Sequence, residues 1–176
     1  GAIAAVGCGL LVARLAWQGA NARRVVRESN ECERAPWRRA FDAHRRRFAL
    51  PDRIGLRESS VVGSPGIVGL WRPVVIVPTE LAATADAGVI DSVLLHELTH
   101  VARGDYAVRI GWRSAECLAW YNPLVWLASA RAREAAERVC DAYCVDRLGG
   151  PRGYAAALLT VARLLVGRRS SSAIVA

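Results

Sequence analysis

The sequence predicts an α+β domain, mostly helical with a small antiparallel sheet, preceded by part of a transmembrane helix. Three observations carry that prediction. Residues 1–13 are uncharged and mostly apolar, residues 51–78 are β-branched and punctuated by prolines, and the rest is segmented by helix start and stop signals. With 176 residues and 53% hydrophobic content, the chain suits one domain with a real core. Those figures exclude a large multidomain enzyme and a disordered chain.

The elements follow in order. As a helix, residues 1–13 would reach only about 20 Å, short of the roughly 30 Å hydrocarbon core. They are read as the C-terminal part of a span covering residues 1–17, with a buried soluble helix as the alternative. Ten arginines from Arg14 to Arg47 follow, opposed only by Glu28, Glu31, Glu33 and Asp42. Positive charge beside a span marks the cytoplasmic side, so residues 18–48 are expected to form a basic cytoplasmic connector. No nucleic-acid motif accompanies the net charge of +8, and no nucleic-acid partner is expected. The chain has no lysine and no methionine, and it is read as a piece of a longer protein. Five cysteines without framework spacing are expected to be reduced, with Cys140 and Cys144 as small buried hydrophobes.

Val61-Val62, a Gly63-Ser64-Pro65-Gly66 turn and a run from Ile67 to Leu70 read as strand and turn. Trp71-Arg72-Pro73 breaks the pattern before Val74-Val75-Ile76-Val77, closed by Pro78. A helix capped by Asp91 or Ser92 is expected over 93–103, ended by Gly104. A second covers 106–120. Trp120 and Trp126 are expected in the core, with a membrane interface as the alternative. Asn122-Pro123 starts a third helix, with no breaker before Gly149-Gly150-Pro151. A final helix is expected over 152–166. Residues 49–169 form the predicted catalytic domain and 170–176 a tail.

The helix from 93 carries His96-Glu97-Leu98-Thr99-His100. Histidines four apart share one helix face, one turn from each other, and both can hold one zinc ion. Zinc lowers the pKa of its water toward about 7. Glu97 is then placed to take the water's proton and pass it to a leaving amine. A catalytic site needs a third protein ligand. His44 sits in the connector and is a poor candidate. The third helix offers the stripe Leu127, Ala130, Glu134, Glu137, Asp141, Cys144, Leu148, in which carboxylates occupy an otherwise apolar face. Glu134 and Glu137 compete for the role. Glu137 is assigned because Asp141, one turn on, can accept the free N–H of a zinc-bound histidine. One zinc per chain is expected, and Arg103 and Asp105 are expected to shape the exit from the helix.

These motifs resemble the BlaR/MecR-type membrane-embedded zinc metallopeptidases. The residues that carry the resemblance are the run from His96 to Asp105 (HELTHVARGD), Trp120-Tyr121-Asn122-Pro123-Leu124-Val125-Trp126, and Glu137-Arg138-Val139-Cys140-Asp141. The similarity covers roughly residues 45–166. It implies a gluzincin-like zincin fold on the cytoplasmic side of the bacterial inner membrane, with His96, His100 and Glu137 as zinc ligands and Glu97 as catalytic base. It also suggests that the strand of Val74, Val75, Ile76 and Val77 is an edge that pairs with extended substrate. The implied activity is peptide-bond hydrolysis in signalling, on the protein itself or a cytoplasmic repressor. The competing readings are an HtpX/Ste24-like quality-control peptidase and a non-catalytic signalling module. Tyr106, Tyr143, Tyr154 and Arg109 are the candidates for stabilising an oxyanion.

Overall fold

The computed structural model describes residues 2–69 and 72–174. Leu70 and Trp71, read as the end of an apolar run and its break, lie outside the described residues, as do the last two residues of the tail. Helix α1 (Ala2–Arg27) is followed by strand β1 (Asn30–Glu31), helix α2 (Ala35–Arg47) and strands β2 (Gly55–Ser59), β3 (Gly66–Val68) and β4 (Val74–Pro78). Five helices follow: α3 (Thr79–Thr84), α4 (Ala87–Arg103), α5 (Asp105–Leu118), α6 (Pro123–Arg147) and α7 (Pro151–Ile174). None of the described helices is long and apolar enough to cross a membrane.

The sheet is mixed, which corrects the antiparallel expectation. Its order is β1-β2-β4-β3, with β4 parallel to β2 and antiparallel to β3. The chain leaves β2, crosses to the outside as β3, and returns as β4 between the two. The cause is legible in β4 itself. Val-Val-Ile-Val is a continuous apolar run rather than an alternating one, the pattern of a strand covered on both faces. Val75, Ile76 and Val77 are fully buried.

Helix α4 is the centre of the molecule. Val89, Ile90, Val93, Leu94 and Leu98 pack it against Trp37 and Phe41 of α2, Leu56 of β2, and Val75 and Val77 of β4. Residues 35–47, inside the basic stretch, therefore form part of this core. The Trp37 indole donates to the Ala82 carbonyl at 3.1 Å, and His44 contacts Asp91 of α4 at 2.6 Å. Helix α4 starts six residues before the expected 93: its cap is Asp86, which accepts from the Val89 amide at 2.9 Å. Ser92 instead bonds back to the Gly88 carbonyl. At the other end Gly104 takes φ +70°, the left-handed conformation that lets α5 start at once in a new direction. Asn122 caps α6 as expected. Helix α7 runs past 166 to Ile174, through most of the expected tail.

Leu98 faces this core, opposite the histidines. Leu98→Ala is expected to cost about 2–5 kcal/mol through the cavity it leaves. The urea midpoint reads that loss, with an unchanged slope if the denatured state is unaltered.

Candidate metal centre

The spacing of α4 brings His96 and His100 onto one face, and α6 crosses beside them with Glu137 and Asp141. The two Nε2 atoms are 3.2 Å apart. Glu137 Oε2 is 3.5 Å from one and 3.6 Å from the other. Ligand atoms of these three residues form one group within 4.8 Å. Glu134 does not join them: it pairs on the solvent side with Arg131 at 3.2 Å and Arg138 at 3.5 Å.

The outer nitrogens decide which way the rings are protonated. His100 Nδ1 is 2.8 Å from Asp105 Oδ2, and a carboxylate only accepts, so that nitrogen carries the proton. His96 Nδ1 is 3.0 Å from the Tyr154 hydroxyl, which donates to Asp141 Oδ1 at 2.7 Å. The phenol oxygen therefore accepts from His96. Both Nε2 lone pairs then face each other, with a carboxylate oxygen as the third acceptor. Three converging acceptors repel unless a cation lies among them.

The donor set fits zinc. Two nitrogens held 2.0–2.1 Å from a tetrahedral ion sit about 3.3 Å apart, close to the separation found here. Burial and the neighbouring His100 push the His96 pKa down, which favours the neutral, ligating ring. Burial pushes the Glu97 carboxyl up to about 7. Asp105 is desolvated, but hydrogen bonds from His100 and Arg103 outweigh that and hold it below the usual carboxylate range.

Two residues act differently from expectation. Asp105 is not only a helix-exit residue, since it is the direct partner of His100. Tyr154 stands between His96 and Asp141, whose own distance to His96 Nδ1 is 3.4 Å. Its hydroxyl is thus committed to orienting a histidine. The signal for Asp105 lay in Gly104, whose turn swings the next residue back under His100. Tyr154 lies 58 residues from His96, and no local spacing points to it. Asp105→Ala is expected to weaken zinc binding about 10–100-fold, as loss of a histidine's outer partner does. Competition with a chromophoric chelator measures it.

A second group, His100, Asp105 and Cys140, shares the outer nitrogen of His100. Burial, then Asp105, push the Cys140 thiol up to about 12, so it stays neutral. Cys140 is fully buried and 3.3 Å from His100 Nδ1, where it packs rather than offers a thiolate.

Two adjoining cavities open on the histidines. One of about 320 Å3 has apolar walls that include Val93, Ala157, Leu158 and Val161. The other, of about 210 Å3, has Asp105, Tyr106 and Arg109 on its wall. Arg109 lies 3.8 Å from Glu137 Oε1. Val74, Val75, Ile76 and Val77 line neither cavity. They form an interior strand with β2 on one side and β3 on the other, so β4 is not the expected edge. The edge is β3: Pro65, Gly66 and Ile67 border the second cavity directly.

Comparisons with known proteins identify the family. Over 101 residues the chain is 31% identical to the regulatory protein BlaR1 of Bacillus licheniformis, covering 57% of this chain and 17% of that protein. Over 88 residues it is 27% identical to the methicillin resistance mecR1 protein of Staphylococcus aureus, covering 50% of this chain and 15% of that protein. The chain thus matches about one sixth of the length of these relatives. The family model described as BlaR1 peptidase M56 matches residues 2–175, nearly end to end, and the chain belongs to that family.

Proposed function

We propose that this chain is the catalytic unit of a membrane-anchored zinc endopeptidase, with one zinc held by His96, His100 and Glu137. The observation that supports it best is the convergence of two bare imidazole nitrogens and a carboxylate beside Glu97, at the mouth of two cavities. Zinc bound there supplies Lewis acidity, which polarises a scissile carbonyl and makes water acidic near neutral pH. Glu97 serves as the base. It takes a proton from the metal-activated water and returns it to the departing amine. Asp105 and the Tyr154–Asp141 pair hold the two rings in their ligating tautomers. The β3 edge at Gly66 and Ile67 offers backbone groups to an extended peptide. Arg109 and Tyr106 face the same cavity and are the groups available to a developing oxyanion.

The substrate class is protein or peptide, either this protein itself or a cytoplasmic regulator, in a role like that of the regulatory relatives. The apolar start of α1 serves as part of a membrane span. The arginines that follow favour the cytoplasmic face of a bacterial inner membrane for the catalytic unit, whose core takes in α2 from within the basic stretch. A quality-control role of the HtpX/Ste24 kind is the second reading of the same zinc chemistry. Zinc-loaded full chain in detergent is expected to cut itself or an unfolded protein, and Glu97→Gln to lose about 100-fold or more of that rate while keeping its metal. Mass spectrometry of the products reads both variants. Undiminished cleavage by Glu97→Gln would refute the assignment.

A further inference from the structure

The turn between α5 and α6 lies about four turns of α6 before Glu137, and its surface is unusual. From Cys117 to Ala130 there is no acidic or basic side chain. Leu118, Tyr121, Leu124 and Leu127 are 79%, 73%, 68% and 54% exposed. Four large apolar side chains clustered on one tip are a patch that water disfavours. The expectation that Trp120 and Trp126 lie in the core is met only in part, since both are half-buried.

Several polar groups of this turn satisfy one another. The Asn122 amide donates to the Ala119 carbonyl at 2.9 Å. The Asn122 side chain accepts from the Leu124 amide at 3.0 Å, and the Trp126 indole donates to the Trp120 carbonyl at 2.9 Å. Such internal pairing is what a backbone needs where water is scarce. Charge is closed off behind the tip. Glu116 is buried, accepts from Ser129 at 2.5 Å and from Arg113 at 3.0 Å, and clamps α5 to α6. Arg133 completes the clamp through Ser129. Arg131, next along α6, is paired with Glu134 at 3.2 Å, so the charges behind the tip are matched. One further contact sets its level along α1. A side chain at Gly7 would collide with the Trp120 ring at 2.5 Å, so the tip lies beside the middle of the uncharged stretch 1–13.

We propose that the α5–α6 turn is a membrane-inserted tip, which buries Leu118, Tyr121, Leu124 and Leu127 among acyl chains. The tip and α1 enter the bilayer side by side, and together they fix the orientation of the catalytic unit above the membrane. The inference rests on the membrane reading of α1 and is independent of catalysis.

The test uses the full chain in a Cys8→Ser background, with nitroxide labels at Leu124→Cys, Val12→Cys and Val139→Cys in separate samples. The other four cysteines are buried. The protein is reconstituted into phosphatidylcholine–phosphatidylglycerol vesicles, and collisions with oxygen and with a water-soluble nickel chelate are compared. The label at 124 is expected to match that at 12, with nickel collisions several-fold fewer and oxygen collisions more frequent than at 139. A label at 124 as open to nickel as that at 139, with 12 shielded, would overturn the tip and leave the α1 reading standing. Nickel access at both 12 and 124 would overturn both. Shielding at 124 from nickel and oxygen alike, with spin–spin broadening, would mean that a second copy covers the tip, and would also overturn the proposal.

Discussion

Glu137→Ala is expected to abolish stoichiometric zinc binding, whereas Glu134→Ala leaves it unchanged. The two glutamates are three residues apart on α6 and differ only in direction. Glu137 Oε2 is nearly equidistant from the two histidine nitrogens, at 3.5 and 3.6 Å. Glu134 is held by Arg131 and Arg138 on the solvent side. Removing Glu137 leaves two imidazoles, takes away the only anionic donor, and brings the nearby Arg109 cation into a site that must hold a cation. The loss should exceed the roughly 10–100-fold that follows removal of an outer partner. Elemental analysis of both variants after desalting reads the result. Equal loss in both would mean that the metal is held by α6 in some other arrangement.

Metal-stripped Glu97→Gln is expected to be more stable than metal-stripped wild type at pH 8, by a margin that narrows at pH 5 and closes below the carboxyl's ordinary value of 4.5. Burial raises the Glu97 carboxyl from its ordinary value of 4.5 to about 7, so the folded state binds this proton more tightly than the unfolded state does. Its contribution is therefore complete below the unfolded value and is lost as pH rises through about 7. Glutamine carries no charge to desolvate at either pH. The gap at pH 8 should be on the order of 2 kcal/mol. Urea midpoints at the two pH values measure it, and parallel curves for the two proteins would contradict the burial account. The metal must be absent, because a cation beside Glu97 reverses the local preference for the neutral acid.

What was legible in the sequence was what repeats at helical spacing or punctuates it. The four-residue interval of the histidines, the Asn122-Pro123 start and the Gly104 stop each have a local physical cause, and each lies where local chemistry places it. The choice of Glu137 over Glu134 needed only the added interval to Asp141. Helix α4 starts earlier than the 93–103 pattern predicts, because Asp86 caps it ahead of two small residues and the buried pair Val89 and Ile90 extends the stripe. The parallel β2–β4 pairing was missed because three short strands in succession suggest successive hairpins, whereas the unbroken apolar run of β4 demanded the interior place. The family resemblance set the substrate edge at Val74, Val75, Ile76 and Val77, whereas β3 is the strand beside the cavity. The role of Tyr154 depends on the packing of α7 against α4, which no short-range pattern encodes.

The measurement that bears most directly on a catalytic zinc centre is X-ray absorption at the zinc edge of the purified, zinc-loaded full chain. The account predicts about one zinc per chain, two imidazoles and oxygen donors at roughly 2.0–2.1 Å, no sulfur in the shell, and the loss of one oxygen donor in any zinc that Glu137→Ala retains. A shell containing cysteine sulfur at about 2.3 Å, or a folded, zinc-supplemented protein that holds no metal, would contradict it.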